Sequence, residues 1–349
     1  MRYIPVNQLK NGMILGQDIH DAAGRMLLAK RLVLSEENIS YIAFLGIPGV
    51  YIDDDFTKDI QIEEIVRPEI RQQAVSLVQE IFMKAENQEL PPEEQHIRAI
   101  VTDVVNAVLD NDDVMYNLVE LKTYDDYTYF HSTNVAILSG VIGAKCSLGE
   151  SELEDLVTSG FLHDMGKVFI DPELINAPRK LTEDERIKMM AHPQAGYDYL
   201  KKNYNFSETI LQAVYEHHEW YNGYGYPMHK TGRELIRNSK ILKAADVYDA
   251  MTSKRPYHAP YLPSEVMEYI MGRSGMEFDP YVVKVMANEL CVYPVGCEVE
   301  LSDGRRAIVA ANHNGFILRP TVKILDTGEM LDLKANREAL HVTIVKLMM

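Results

Sequence analysis

Histidines and carboxylates that could hold metal ions are clustered in the middle of the sequence. Five of the eleven histidines fall within residues 127–219, and two acidic residues adjoin them. With a further aspartate downstream, the clustered residues are His131, His163, Asp164, His192, His217, His218, Glu219 and Asp246. Imidazole and carboxylate without thiolate suit Fe, Mn, Ni, Co or Zn, and argue against an all-oxygen Mg or Ca cage.

Burial makes this set more informative than single histidines would be. A lone histidine on a helix is usually a core or surface residue. His163 and Asp164, however, follow the apolar run 159–162, where a helix should bury its side chains. A buried carboxylate beside an imidazole is costly unless it is paired or bound to a metal. The adjacent His217 and His218 point about 100° apart on a helix. They predict either one ligand for each of two sites or two ligands for one metal from a distorted turn.

The elements that must position these residues are helical. Residues 124–288 have an almost purely helical pattern, interrupted by glycine- and proline-rich loops at 223–227 and 255–263. Capping boxes are predicted at Ser151–Glu154 and Thr182–Glu185. Upstream, three- and four-residue apolar spacing predicts helices at 67–85 and 93–109, either a signalling helix pair or the first helices of the next domain.

Both ends of the chain have a different pattern. Residues 1–55 predict a small mixed α/β unit, with strands near 26–28 and 50–52 and one helix at 35–45. Alternating stretches at 298–301, 307–310 and 321–325 predict a small β-rich C-terminal unit with hairpin turns. The predicted divisions are therefore 1–55, a helical segment 56–122, a catalytic domain 123–289 and a C-terminal unit 290–349. The expected fold class is mainly α.

Composition restricts the classes of function and the compartment. The net charge of −17 disfavours binding to nucleic-acid polymers or anionic membranes. No apolar run approaches the ~18 to 20 residues of a membrane span, so membrane insertion is not expected. The cysteines form no Cys-x-x-Cys pair, which indicates a reducing compartment and argues against a zinc–thiolate site. We therefore expect a cytoplasmic protein.

The order of the histidine and aspartate motifs resembles the HD superfamily of metal-dependent phosphohydrolases, and the surrounding sequence is closer still to its HD-GYP subfamily. The resemblance covers roughly residues 124–288. The matching stretches are Tyr127–Ser132, Phe161–Lys167, Lys180–Glu183, His192-Pro193, His217–Glu219, Gly223–Pro227 and Ala245–Tyr257. So many motifs in the same order make a chance match improbable.

This resemblance implies an all-helical HD-type catalytic domain that hydrolyses cyclic di-GMP to pGpG or GMP through a metal-bridging hydroxide. It implies two divalent metal ions, with Fe or Mn favoured and other transition metals allowed. Asp164 would bridge the ions. One coordination sphere would be completed by His131, His163 and Asp246, and the other by His192, His217 and His218.

The resemblance also implies substrate and partner contacts. Lys167 is assigned to a non-bridging phosphate oxygen, and Arg255 to a phosphate or guanine, since a planar guanidinium suits either. Tyr226 and Pro227 are expected to contact substrate, with a structural turn as the alternative. A diguanylate cyclase domain that contacts this loop and a homodimer are compatible with the resemblance. Glu219 either orients a histidine or lies at an exposed helix end.

The sequence departs from the family pattern at two places. Asn222 occupies the usual aspartate position of the loop, which predicts altered loop contacts rather than lost metal. Where three-metal members carry a carboxylate four residues before the first histidine, this chain has Tyr127, with Asp125 and Asp126 out of helical phase. Two metals are therefore expected.

Three other functions are weighed against cyclic di-GMP hydrolysis. A catalytically weak sensor or binding module is supported only by Asn222, and the complete ligand set argues against it. A diiron oxygenase of the same fold is disfavoured by the Gly-Tyr-Pro loop and by residues 255–257. Hydrolysis of another cyclic or linear dinucleotide keeps the chemistry and changes the substrate.

Overall fold

The computed structural model describes residues 1–20, 25–63, 65–111, 127–175, 177, 179–253 and 260–348. Among these, an N-terminal unit contains two small antiparallel sheets and one helix. The first sheet has the order β1-β5-β2, and β3 pairs with β4. The elements are β1 Arg2–Pro5, β2 Ile14–Leu15, β3 Ile19–His20, β4 Met26–Leu28, α1 Glu36–Phe44 and β5 Gly49–Asp53. Its small core is separate from the main one and includes Leu15, Leu34 and Ile42.

The body of the protein is helical, so the predicted mainly α fold class is confirmed. The helices are α2 Pro68–Glu86, α3 Glu94–Asp110, α4 Tyr127–Lys145, α5 Glu150–Leu162, α6 Pro172–Ile175, α7 Glu183–Met189, α8 His192–Asn203, α9 Glu208–Glu216, α10 Arg237–Thr252, α11 Pro263–Gly272 and α12 Pro280–Glu289. A 3₁₀ turn, Met165–Phe169, follows α5. No helix among the described residues is long and apolar enough to cross a membrane.

Helices α2 and α3 share the core of the helical body. Their buried faces, which include Leu77, Val78 and Val104, belong to the same apolar cluster as Val135 of α4 and Leu156 of α5. These two helices therefore pack directly against the helices that carry the candidate ligands.

Of the two capping boxes predicted from the sequence, one is present at the start of its helix and the other is not. The capping box at Thr182 is present, because its hydroxyl accepts the Glu185 N–H and the Glu185 carboxylate accepts the Thr182 N–H. The box predicted at Ser151–Glu154 is wrong. Helix α5 begins two residues earlier, with Gly149 as N-cap, and the Glu152 carboxylate accepts the Gly149 N–H at 2.9 Å. Glycine has no side chain to cap the helix, so the acidic residue in the first turn satisfies this donor.

The C-terminal unit is a five-stranded antiparallel sheet of order β10-β6-β7-β8-β9. Its strands are β6 Glu298–Leu301, β7 Arg306–Ala311, β8 Thr321–Ile324, β9 Met330–Asp332 and β10 Ile344–Met348. It contacts the N-terminal unit directly. The Tyr3 N–H donates to the Gly296 carbonyl at 2.9 Å, and Lys323 Nζ lies 2.7 Å from Asp59 Oδ1. The two ends of the chain thus meet beside the helical body.

Candidate metal centre

Three helix ends and two helix interiors bring the predicted ligands to one place. His131 lies in α4 and Asp246 in α10, whereas His163 and Asp164 follow α5 directly. The remaining ligands are His192, the first residue of α8, and the pair His217-His218 just after α9. Helices α4 and α5 approach so closely at Gly160 that a Cβ there would collide with the backbone of Ala136. This crossing puts the ring centroids of His131 and His163 5.3 Å apart.

The ligand atoms form two groups that share Asp164. In the first, one ligand atom from each of His131, His163 and Asp164 lies within 4.8 Å of the others. Asp246 adds a carboxylate to this side, since its Oδ1 is 3.2 Å from His131 Nε2 and 3.9 Å from His163 Nε2. Within the described residues, this first group therefore offers two imidazoles and two carboxylates.

The second group consists of Asp164, His192, His217 and His218, whose ligand atoms also lie within 4.8 Å of one another. The two carboxylate oxygens of Asp164 face different groups. Oδ2 is 3.4 Å from His163 Nε2, whereas Oδ1 is 3.6 Å from His192 Nε2. Asp164 is thus placed between the two groups, with one oxygen towards each.

Backbone carbonyls set the tautomers of three of these histidines. The Nδ1 atoms of His163, His192 and His217 each contact the carbonyl oxygen three residues earlier, at 2.8, 2.7 and 2.6 Å respectively. A carbonyl can only accept, so each Nδ1 carries the proton in the neutral ring. Each Nε2 then presents a lone pair towards the centre, which is the form in which imidazole binds a metal.

Without a cation, these lone pairs would oppose one another. His192 Nε2 and His217 Nε2 are 3.2 Å apart, a distance typical of a hydrogen bond, yet neither atom carries a proton in the tautomers just assigned. His163 Nε2 is fully buried and has no hydrogen-bond partner among the residues that the structure describes. Buried polar atoms are normally paired, and an orphaned lone pair is costly. A cation at each group would satisfy all three atoms, so the residues present fit divalent metal ions.

Burial and neighbouring charge keep the groups in their metal-binding protonation states. Burial lowers the pKa of His192 to about 4, and those of His217 and His218 also lie well below the usual range. Burial alone would raise the pKa of the Asp164 carboxyl, but the neighbouring His163 and Lys167 outweigh it and hold that pKa well below its usual range. The second group therefore offers neutral imidazoles and an ionised carboxylate near neutral pH.

His131 differs from the other histidines because a carboxylate, rather than a carbonyl, receives its Nδ1 proton. Asp249 Oδ2 lies 2.7 Å from His131 Nδ1, and Asp249 Oδ1 accepts from Asn134 Nδ2 at 3.1 Å. A carboxylate behind a metal-binding histidine fixes its tautomer and raises its basicity. Sequence reasoning assigned no role to Asp249 or Asn134. The available signal was spacing, since each lies three residues after a ligand on the same helix, after Asp246 and His131 respectively.

Lys167 and Tyr226, two predicted substrate contacts, lie beside the centre. Lys167 Nζ is 2.6 Å from Asp164 Oδ2, and its side chain is 28% exposed, so it joins the buried centre to the surface. The Tyr226 ring stacks on His218 with centroids 4.8 Å apart, and Pro227 follows it through a cis peptide bond. The His218 ring also contacts the imidazoles of His217 and His192, with ring centroids 4.1 and 5.0 Å away. The stacked tyrosine restrains it from the side of the loop.

Glu219 holds the Gly-Tyr-Pro loop in place through hydrogen bonds to the backbone that follows it. This side chain is buried, and its carboxylate accepts the N–H groups of Met228 at 2.5 Å and Lys230 at 3.2 Å. The prediction of an exposed helix end is wrong. None of these contacts orients a histidine, so Glu219 instead holds the loop.

Asn222 preserves the local turn of this loop. Its Oδ1 accepts the Tyr224 N–H at 3.1 Å, a bond that an aspartate would also accept, and its N–H donates to the Met276 carbonyl. The altered loop contacts expected at Asn222 therefore stay a prediction. Of the remaining predicted positions, Arg255 and the acidic pair Asp125 and Asp126 lie outside the described residues.

Comparison with known proteins places the centre in a recognised domain. A family model described as HD domain matches residues 113–282. A protein named cyclic di-GMP phosphodiesterase from Pseudomonas aeruginosa is 32% identical over 229 residues, which cover 66% of this chain and 55% of that protein. A protein from Vibrio cholerae, named 3'3'-cGAMP-specific phosphodiesterase 2, is 29% identical over 193 residues, which cover 52% of this chain and 36% of that protein. The chain thus spans about half, or less, of the length of these relatives.

A solved structure shares the fold. The protein described as Bd1817, a HDG"Y"P protein from Bdellovibrio bacteriovorus, matches with a TM-score of 0.51 and 14% sequence identity. The match covers 81% of this chain and 97% of that one. At this identity the likeness concerns architecture, and it extends beyond the segment that the family model matches.

Proposed function

We propose that this chain, whose residues 113–282 match the family model described as HD domain, belongs to the HD-GYP branch of that family. We propose further that it is a metal-dependent phosphodiesterase that hydrolyses cyclic di-GMP to pGpG or GMP. We further propose that it acts in the cytoplasm with two divalent ions, Fe or Mn being favoured. The name of the Pseudomonas relative supports the substrate, and the arrangement of the buried ligands supports the chemistry.

One observation carries the proposal: two inward-facing ligand groups share a single carboxylate. Asp164 directs one oxygen to each group, while the lone pairs of His192 Nε2 and His217 Nε2 oppose each other at 3.2 Å. Such an arrangement is unfavourable without positive charge between these atoms. Two divalent cations at these groups would acidify a water, neutralise the phosphodiester and stabilise the leaving oxygen.

The proposed ligand sets follow the two groups. His131, His163 and Asp246 hold one ion, and His192, His217 and His218 hold the other, with Asp164 between them. In a protein whose net charge is −17, an anionic substrate needs a local cationic field. Part of that cationic field would come from a lysine side chain of the protein, in addition to the metal ions.

Lys167 is the cationic side chain best placed to bind a phosphate oxygen. It is partly exposed and already reaches the centre through its 2.6 Å contact with Asp164. Once metal ions neutralise the Asp164 carboxylate, the ammonium could turn to a non-bridging oxygen of the substrate, a charge-assisted interaction. Tyr226, which stacks on His218, and Pro227 are retained as proposed substrate contacts. Arg255 is retained as a proposed phosphate or guanine contact. The exposed Tyr224, at 81%, marks the loop surface proposed for a diguanylate cyclase partner.

The Vibrio relative favours a second candidate substrate. That protein is named for 3'3'-cGAMP, which has the same phosphodiester linkages as cyclic di-GMP and one adenine in place of a guanine. The metal centre acts on the phosphodiester and does not discriminate between the bases. Side-by-side hydrolysis of the two cyclic dinucleotides, compared as kcat/KM, distinguishes the candidates.

The test is anaerobic purification, metal quantification and incubation with cyclic di-GMP while products are followed by chromatography. We expect conversion to pGpG or GMP that a chelator abolishes and that Mn(II) or Fe(II) restores. Asp164→Asn should lose both metal and turnover, because it removes the shared negative charge. Asp198→Asn, an exposed aspartate of α8 that contacts Gln194, is the matched control and should retain both.

The outcomes of this test separate the proposed functions. Turnover that is indifferent to chelator, in a protein without bound metal, contradicts the mechanism. Stoichiometric metal with tight nucleotide binding and no product indicates a sensor module instead.

A further inference from the structure

A chain of side-chain hydrogen bonds connects the metal centre to helix α2. Arg71 Nη1, on α2, donates to Asn134 Oδ1 at 3.0 Å, and Asn134 Nδ2 donates to Asp249 Oδ1 at 3.1 Å. The other oxygen of Asp249 lies 2.7 Å from Nδ1 of the candidate ligand His131. Three successive bonds thus join a helix of the N-terminal half to an imidazole of the first ligand group.

Burial makes the geometry of this chain specific. Asn134 is 1% exposed and Asp249 is 0% exposed, so both polar side chains depend on protein partners. The amide of Asn134 can face two ways. A guanidinium is only a donor, so Arg71 holds the amide oxygen on its own side and leaves the NH₂ group for Asp249. Without that restraint, a flipped amide would present its oxygen to the Asp249 carboxylate.

Arg71, at the far end of this chain of hydrogen bonds, lies outside the segment that the HD domain family model matches. The family model matches residues 113–282, and Arg71 precedes it by a full helix, α3. Helix α2 is nevertheless seated firmly on α4, where the Phe82 and Tyr129 rings meet edge to face with centroids 5.9 Å apart. The position of Arg71 relative to Asn134 is therefore determined by apolar packing that does not involve the metal ligands.

We propose that Arg71 is a positioning residue for the metal ligand His131, acting through Asn134 and Asp249. The inference rests on the proposed metal centre. Arg71 orients the Asn134 amide, the amide restrains the Asp249 carboxylate, and the carboxylate fixes the tautomer and direction of the His131 ring. Groups behind a metal ligand typically change metal affinity by about 10- to 100-fold when they are removed. Helix α2 thereby contributes to metal affinity without supplying a ligand.

The test is a metal titration of the full chain, with Co(II) absorption reporting each site. Arg71→Met keeps the apolar stem and removes the donor, so it should weaken one of the two metal affinities by about tenfold and leave the other unchanged. Arg71→Lys restores a donor and should give an intermediate affinity. Lys84→Met, also on α2 but paired with Glu80 at the surface, is the matched control and should bind like the unsubstituted protein.

A double-mutant cycle separates positioning from general loss of structure. If Arg71 acts through Asn134, then Arg71→Met should weaken binding no further once Asn134→Ala is present. Turnover of Arg71→Met should also recover in excess metal, which a misfolded enzyme would not do.

Two results would overturn the inference while the proposed function stands: two unchanged metal affinities in Arg71→Met, or losses that multiply in the double variant. If the unsubstituted protein binds no metal, and Asp164→Asn changes nothing, the proposed function itself fails and the inference fails with it.

Discussion

Adding one methyl group at Gly225 should disable the centre without touching a metal ligand. The loop that contains Gly225 folds over the backbone of Glu219 and Trp220, next to the ligand His218. A Cβ at Gly225 would lie 2.5 Å from the carbonyl carbon and the Cα of Glu219, and closer still to the Trp220 nitrogen. Ordinary contacts of a Cβ are 3.4–4 Å. Since backbone cannot rotate away as a side chain can, the loop must lift by about 1 Å.

This displacement carries Tyr226, the next residue, away from the His218 ring on which it stacks. A misplacement of about 1 Å near a reacting centre can reduce the rate on the order of 10²-fold. Overpacking of this kind typically costs about 1–3 kcal/mol of folding free energy, which a helical core of this size tolerates. We therefore expect Gly225→Ala to remain folded and to lose about two orders of magnitude in kcat for cyclic di-GMP.

The assay compares Gly225→Ala with Gly272→Ala, in which the added Cβ meets no atom within 4 Å. Steady-state hydrolysis, metal content and thermal unfolding are measured for both variants at a temperature well below either transition. The control should match the unsubstituted protein in all three. If Gly225→Ala hydrolyses cyclic di-GMP as fast as Gly272→Ala, the loop does not position His218 and the reasoning is refuted.

Three further substitutions test individual contacts. Asp249→Asn should weaken metal binding by roughly tenfold in a titration, because a hydrogen bond from His131 to a carboxylate becomes one to a neutral amide; an unchanged affinity would contradict this role. Lys167→Met should raise KM for cyclic di-GMP more than it lowers metal content, and a variant that retains its KM would exclude Lys167 as a phosphate contact. Tyr226→Phe should keep the affinity of the His218 site whereas Tyr226→Leu should reduce it, since only the former retains an aromatic ring to stack; equal affinities would show that stacking is unimportant.

The amino-acid sequence alone determined the types of the ligands and the period of the elements that carry them. Apolar residues at three- and four-residue spacing predicted α2 and α3 to within one residue at each end. Residues at that spacing lie on the same face of a helix, which is the face that becomes buried. The helix predicted at 35–45 is α1, and the structure adds that Ser35 is its N-cap. Strands β6, β7 and β8 followed from alternation between turns. The strands β9 and β10 were not predicted, since β9 has only three residues and the β10 sequence Ile-Val-Lys-Leu-Met does not alternate between apolar and polar residues.

Contacts between residues far apart in the sequence were decided only by the tertiary structure. The shared position of Asp164 depends on the close crossing of α4 and α5 at Gly160 and Ala136, which no local pattern specifies. Glu219 could have ended a helix at the surface, yet the returning loop buries it. Arg71 resembles any solvated charge on an amphipathic helix until Asn134, 63 residues away, receives its hydrogen bond. Periodicity is a local property, whereas partners for buried polar groups are fixed by packing, and packing involves the whole chain.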